Sequence, residues 1–419
     1  MMRRLAFLLA LASASALSPA FAEDADDAAL QLADQAPAEA AKASDWAAFI
    51  EAAGGRSTLR SGPQSDNQRL SLDVALDKRL APAWRLVFAD RLDMNWHDEP
   101  TRQDGVNTLK EAYVGWQARD DLLFDLGRIN VRNGVATGYN PTDYFRAGAV
   151  RSVVSADPGS LKRNRQGSVM LRAQTLWEGG SFSAMYSPKL ADQPNDAALN
   201  PNVGATNNQD RWLFAVSQKL TENINPQWLL YKEERQPAQL GFNLALLAND
   251  ATVVYAEWSG GRSRSLFSQA TSGADDTAFR SRASTGLTYT TPDKLSLTLE
   301  YQYNGAGLQD AQWSALPRTS LAAYGSYRTL LQSVQDMPTR DAIFFYASWQ
   351  DAMINHLDLN AMERYNVADG SRLSWVEARY HWDRYDVALQ WQMNTGSIAS
   401  EFGAATQRRT VQALLRYFF

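Results

Sequence analysis

Residues 130–166, NVRNGVATGYNPTDYFRAGAVRSVVSADPGSLKRNRQ, gather the side chains best suited to chemistry in this 419-residue chain. Counted from Arg128, the stretch carries Arg128, Arg132, Arg146, Arg151, Lys162, Arg163 and Arg165. Those seven cations stand against Asp143 and Asp157, a net of +5 in a chain whose formal charge is −5. Guanidinium groups hold carboxylates and phosphates by forked, charge-assisted hydrogen bonds. Set between low-dielectric walls, such a cluster focuses a field that concentrates anions. A structural role competes with this one, in which the cations pair with Asp73, Asp77, Asp125 and Glu300 or with lipid headgroups. Tyr139, Tyr144 and Phe145 can stack on sugar rings or pack a folded loop, and Gly134, Gly138, Asn140 and Pro141 supply its turns.

Catalytic and metal-binding chemistry finds little support. There is no cysteine, and the histidines are His97, His356 and His381. His97-Asp98-Glu99 has ligand-type side chains, but three adjacent residues rarely converge on one ion. His381 falls on a polar strand face beside Trp382. The His-x-Ser-Asn-Gly pattern of an outer-membrane phospholipase and a phosphate-cradling glycine-rich loop are both missing. Asp275-Asp276 is too generic for glycosidase chemistry. The reading is of a non-enzyme without metal site or cofactor, and its acidic balance argues against nucleic acid.

The elements that would position the basic segment have a period of two. Leu70, Leu72, Val74 and Leu76 alternate with Arg69, Ser71 and Asp73. Leu295, Leu297, Leu299, Tyr301 and Tyr303 oppose Ser296, Thr298, Glu300 and Gln302. Val376, Ala378 and Tyr380 oppose Glu377, Arg379 and His381. Val411, Ala413, Leu415, Tyr417 and Phe419 alternate with Thr410, Gln412 and Arg416. Such a period puts one set on each face of a strand. Aromatic residues tend to end the apolar face, at Trp84, Trp116, Trp177, Trp212, Trp228, Trp258, Tyr289, Tyr303, Trp382 and Phe419, as interfacial girdles require.

The pattern predicts about 18 strands, within a range of 16–18. They fall near 45–54, 68–79, 84–94, 108–118, 122–130, 167–177, 181–187, 210–219, 226–234, 239–248, 251–259, 278–291, 294–304, 341–350, 354–364, 372–382, 385–394 and 408–419. Even connections are short. Odd ones are mostly long, at 55–67, 95–107, 131–166, 188–209, 260–277, 305–340 and 395–407. A soluble sandwich has no reason to sort loop lengths by rim, whereas a transmembrane antiparallel β-barrel has short periplasmic turns and long extracellular loops. On the polar, lumen-facing phase lie Arg69, Asp73, Arg85, Arg91, Arg172, Arg280, Arg282, Glu300, Arg379 and Arg416. The connection 305–340 contains SLAAYGSYRTLLQSVQ, a short helix over the pore mouth, inside it or on the surface.

The ends complete the domain plan. Arg3 and Arg4, the apolar run Leu5 to Leu17 and Ala20-Phe21-Ala22 form a signal peptide over residues 1–22. Removing Arg3 and Arg4 takes the charge to −7. Residues 23–44 are an acidic, alanine-rich periplasmic segment too short for a plug domain, and 45–419 form the barrel. No long apolar run follows Ala22, which excludes a helical membrane protein but not a barrel.

The final strand, Leu415-Arg416-Tyr417-Phe418-Phe419, resembles the terminal β-signal of outer-membrane proteins, which implies the barrel-assembly machinery as a partner. More broadly, the chain is similar to porin-type barrels of about 16 to 18 strands, a group spanning general porins, substrate-specific porins and alginate-export-type channels. LKEAYVGW…LLFDLGRINVRNGV is similar in style to their hairpin before a long third loop, with Gly127-Arg128 where such strands end. The resemblance implies a third loop folded into the lumen, and passage of solutes or export of a polymer. It carries over no functional residue.

The expectation is an outer-membrane porin of a Gram-negative bacterium, in contact with lipid and passing small hydrophilic, anionic solutes. Export of an anionic polysaccharide and a non-conducting structural barrel stay open as alternatives, as does a homo-oligomer.

Overall fold

A computed structural model describes residues 44–97 and 104–419. The expected signal peptide, residues 23–43 of the acidic segment, and Asp98 and Glu99 lie outside the described residues. Eighteen strands form one sheet: β1 (Trp46–Leu59), β2 (Gln64–Ala81), β3 (Trp84–His97), β4 (Gly105–Arg119), β5 (Leu122–Ile129), β6 (Ser168–Trp177), β7 (Gly180–Ser187), β8 (Arg211–Gln218), β9 (Gln227–Glu233), β10 (Gln236–Asn249), β11 (Thr252–Ser263), β12 (Ala278–Thr290), β13 (Leu295–Asn304), β14 (Asp341–Trp349), β15 (Leu357–Asn366), β16 (Arg372–His381), β17 (Tyr385–Thr395) and β18 (Gln407–Phe418). Every strand pairs antiparallel with its sequence neighbours, and β1 closes on β18 with Phe49 opposite Phe418. Closure removes the sheet edge, so the ladder itself satisfies the backbone groups that hydrocarbon would leave unpaired.

The alternation is inverted relative to a soluble protein. Glu51, Arg91, Asp93, Glu257 and Glu300 are buried inside, while Leu72, Leu126, Leu299, Leu389 and Leu415 are exposed outside. Of the expected girdle, Trp84, Trp116, Trp177, Trp212, Trp228, Tyr289, Trp382 and Phe419 are exposed on the outer face, and Trp258 and Tyr303 are half-buried there. Trp84 stacks on Trp116 at 6.0 Å and Trp116 on Phe124 at 5.5 Å, linking neighbouring strands at the periplasmic rim.

Periplasmic turns are short, as at 82–83, 120–121 and 178–179. The long extracellular loops include loop 3 (130–167), loop 4 (188–210), loop 6 (264–277), loop 7 (305–340) and loop 9 (396–406). One connection corrects the expectation: instead of a long loop at 55–67, β1 and β2 continue to a tight turn at 60–63. Its polar residues have cross-strand partners, Arg56 Nε to Asp66 Oδ1 at 2.6 Å and Ser57 Oγ to Thr410 Oγ1 at 2.9 Å. A strand that projects above the bilayer is polar on both faces, so hydropathy does not mark where it ends. For the same reason β3 and β4 run into the expected 95–107 loop.

The lumen is not uniformly polar. Val87, Tyr113, Met170, Met185, Leu213, Leu229 and Tyr231 make an apolar inner wall on β3–β9 that buries Val131 and Phe145 of loop 3. Tyr144 stacks on Tyr231 at 4.3 Å.

Candidate constriction in the barrel lumen

Two carboxylates from the opposite wall hold loop 3 across the lumen. Glu257 on β11 accepts from the backbone N–H groups of Val135 (2.9 Å), Ala136 (3.2 Å) and Thr142 (2.7 Å), from Thr142 Oγ1 (2.8 Å) and from Asn140 Nδ2 (3.0 Å). Glu300 on β13 accepts from the N–H groups of Thr137 and Gly138, and from the Tyr255 hydroxyl at 2.8 Å. Buried backbone donors need acceptors, and an ionised acceptor makes the stronger bond. Loop 3 is therefore pinned by its backbone on one side and by its aromatic residues on the other.

Loop 3 also holds itself. Arg165 forms a buried fork with Asp143, Nη1 to Oδ2 at 2.6 Å and Nη2 to Oδ1 at 3.0 Å, and its Nε donates to Asn130 Oδ1 at 2.8 Å. Arg146 donates to the Asn140 carbonyl at 2.6 Å, lies 5.1 Å above the Tyr139 ring and reaches Asp336 of loop 7 at 3.4 Å. The Tyr139 hydroxyl donates to Asp336 at 2.7 Å, and Arg282 donates to the same carboxylate at 3.1 Å. Burial pushes the Asp336 carboxyl up, but Arg282 and Arg146 outweigh it and hold the group below the usual carboxylate range. Lys162 donates to the Ala136 carbonyl at 3.1 Å. It sits on the short helix α1 (Pro158–Arg163).

The basic segment is thus not one open ring of cations. Arg132 and Arg163 are exposed, and Arg163 lies 3.9 Å from Asp157. Tyr139 and Arg165 are buried supports of the loop, not lining residues. Arg128 is only 3% exposed. Continuing the alternation from Leu126 would aim it at lipid, but Gly127 has a left-handed φ of 138° and breaks the phase. A Cβ at Gly127 would lie 2.3 Å from the Ala112 carbonyl oxygen, so only glycine fits that close approach. Arg151 alone of the eight predicted constriction residues lines the open cavity of about 970 Å³ between loop 3 and the wall. Backbone carbonyls hold its guanidinium, those of Asn107 at 2.7 Å and Asn200 at 2.6 Å.

The predicted lumen residues are paired. Glu51 receives Arg69 at 2.7 Å, Arg91 at 2.9 Å and Arg416 at 2.5 Å. Asp73 holds Lys110 at 2.7 Å, Asp125 holds Arg172 at 2.8 Å and Asp276 holds Arg280 at 3.1 Å. Arg379 meets Glu377 at 3.0 Å and Asp386 at 3.4 Å. His381 bridges Asp358 and Asp386 at 3.0 and 2.9 Å, as an inward residue would. The arginine excess on the polar phase is matched by carboxylates that sequence reading left out, Glu51 and Glu257 chief among them. Both sit on the inward phase of their strands, and that phase was the signal to use.

Loop 4 carries the short helix α2 (Val203–Thr206), loop 6 carries α3 (Leu266–Thr271), and loop 7 contributes two helices, α4 (Asp310–Thr319) and α5 (Leu321–Val334). Trp313, Leu316, Tyr324, Tyr327 and Leu331 pack with Ala306 and Leu308 at the start of the same loop and with Leu266 of loop 6. The end of α5 meets loop 3, where Gly148 N–H donates to the Ser333 carbonyl at 2.9 Å, and Leu330 and residues 332–335 line the cavity. Arg328 on α5 donates to the Ser400 and Glu401 carbonyls of loop 9 at 3.3 and 3.2 Å. The helix expected in 305–340 therefore roofs the constriction.

No protein-family model matches the sequence, and no curated protein matches it significantly. Solved structures do. OccAB1 of Acinetobacter baumannii aligns with a TM-score of 0.57 at 10% identity, covering 89% of this chain and 96% of that one. OccK5 (OpdH) of Pseudomonas aeruginosa aligns at 0.52 and 10% identity, over 90% and 98%. OpdK of Pseudomonas aeruginosa, in a structure with vanillate, aligns at 0.54 and 10% identity, over 89% and 98%. Likeness at this identity shows the fold alone: a closed antiparallel β-barrel, here of 18 strands, whose architecture is similar to that of these solved structures.

Proposed function

We propose that the protein is a water-filled channel through which small hydrophilic solutes diffuse, anions in preference to cations. The observation that carries the reading is the charge around the cavity: Arg69, Arg151, Arg211 and Arg235 against Asp196 and Glu233. Arg69 already shares Glu51, so Arg151, Arg211 and Arg235 supply the field that a permeating carboxylate, phosphate or acidic sugar meets. The vanillate reported with OpdK is itself a small carboxylate, which makes that class the first to test.

The test is reversal potential in planar bilayers under a salt gradient. The native protein is expected to favour chloride over potassium. Arg151→Gln combined with Arg235→Gln should move the reversal potential toward cation selectivity, whereas Arg163→Gln, outside the cavity lining, should leave it unchanged. Cation preference in the native channel defeats the anion reading, and the absence of any conductance defeats the channel itself.

A further inference from the structure

Arg128 poses an electrostatic problem that the described residues do not solve. It lies at the end of β5, opposite Ala112 on β4 and Val169 on β6. Both Nη1 and Nη2 are buried, and neither has an acceptor among the described residues. The charge acting on this guanidinium is that of Arg151, which has the same sign. Thr108, on the same stretch of β4 whose Asn107 carbonyl receives Arg151, is fully buried with its hydroxyl unpartnered. A buried cation without a counter-charge is among the costliest arrangements in a protein, and guanidinium does not escape by losing its proton. Water can take up the free N–H groups but not the charge.

We propose that a small free oxyanion, a carboxylate or an inorganic phosphate, resides between Arg128 and Arg151 as a fixed counter-ion at the root of loop 3. The Arg128 fork presents two parallel N–H donors, the geometry that suits two oxygens of one anion. Arg128 does not line the open cavity, so this anion is a resident that ties β5 to loop 3 and not a passing solute. A lipid phosphate, held to a bulky headgroup, would not fit a group that is 3% exposed. The inference does not depend on anion selectivity of the conduit.

The experiment is thermal unfolding of the full barrel in detergent, followed in buffer of constant ionic strength as sodium chloride is replaced by inorganic phosphate or by acetate. The native midpoint should rise by about 2 °C or more as phosphate saturates the site. Arg128→Met removes the unpaired charge while keeping much of the volume. It should be at least as stable as the native protein in chloride and should show no rise with phosphate. Arg372→Gln, at an exposed position on β16, should keep the full rise. A native midpoint indifferent to both anions overturns the proposal, and so does an equal rise in Arg128→Met, which would mean a general salt effect. Reversal potential measured on Arg128→Met separates this site from the conduit, because a resident counter-ion predicts no change in selectivity.

Discussion

Glu257 shows what a single inward carboxylate does in a barrel. One side chain on β11 gathers five hydrogen bonds from loop 3, three of them from backbone N–H groups. Removing it leaves those donors buried without an acceptor, at about 1–3 kcal/mol for each. The barrel ladder is untouched, so the cost falls on the loop. Glu257→Ala is therefore expected to fold and insert, and to show a larger and noisier single-channel conductance than the native protein. Unchanged conductance would mean that the apolar contact of Phe145 and Tyr144 with β9 positions loop 3 alone. Glycine at 148 is a second such point: φ is +70°, and a Cβ there would sit 2.1 Å from the Ala205 carbonyl oxygen. Loops 3 and 4 meet at a contact that admits no side chain.

At the scale of elements, the helix pair α4–α5 acts as a roof because it is bonded to two different loops. One attachment is the Gly148–Ser333 bond to loop 3, and the other runs through Arg328 to loop 9. Within loop 9, Glu401 accepts from Asn366 Nδ2 at 2.7 Å. Burial pushes its carboxyl above the ordinary value, and Arg364 and Asn366 bring it only part of the way back. A carboxyl raised in the docked state binds its proton more tightly there than in the undocked loop. Docking is then favoured at acid pH and weakens as pH rises through the raised value. Acidifying the loop side should lower the open probability or the conductance, and Glu401→Gln should remove that dependence while fixing the low-pH behaviour. A native channel whose current is flat with pH on that side would refute the coupling. The Asp336 clamp works in the opposite direction: with its carboxyl held low, its contribution is present above the unfolded carboxylate value and is lost only as pH falls through the depressed one.

For the whole molecule, stability comes from closing the sheet. β18 pairs with both β17 and β1, and the Phe419 N–H donates to the Ala48 carbonyl at 3.1 Å, so the last residue belongs to the seam. Tyr417 and Phe419 meet edge to face at 5.2 Å on the periplasmic rim, where an amphipathic ring is best placed. Deleting Phe419 is expected to lower the folded fraction recovered from outer membranes several-fold, read as heat-modifiable mobility on gels. If recovery is undiminished, the terminal aromatic residue is dispensable for assembly and the proposed role of this strand in reaching the barrel-assembly machinery fails.

Strand number, strand phase and the two rims were legible in the amino-acid order alone. The reason is local: lipid on one side and a wet lumen on the other impose a period of two, and a one-residue slip would turn Arg69 or Glu300 into hydrocarbon. Strand ends above the bilayer were not legible, as residues 55–67 show, because water meets both faces there. The destiny of the cations was also beyond the sequence. Arg165 finds Asp143 close by in its own loop, but Arg416 meets Glu51 across 365 positions of chain, and Arg282 and Arg146 share a carboxylate of loop 7. Local order determined a barrel with a basic loop at its third connection. Only the closed tertiary structure, by bringing distant carboxylates within hydrogen-bonding reach, decided that Arg165 would brace that loop, that Arg151 would face the conduit and that Arg128 would be left buried without a partner among the described residues.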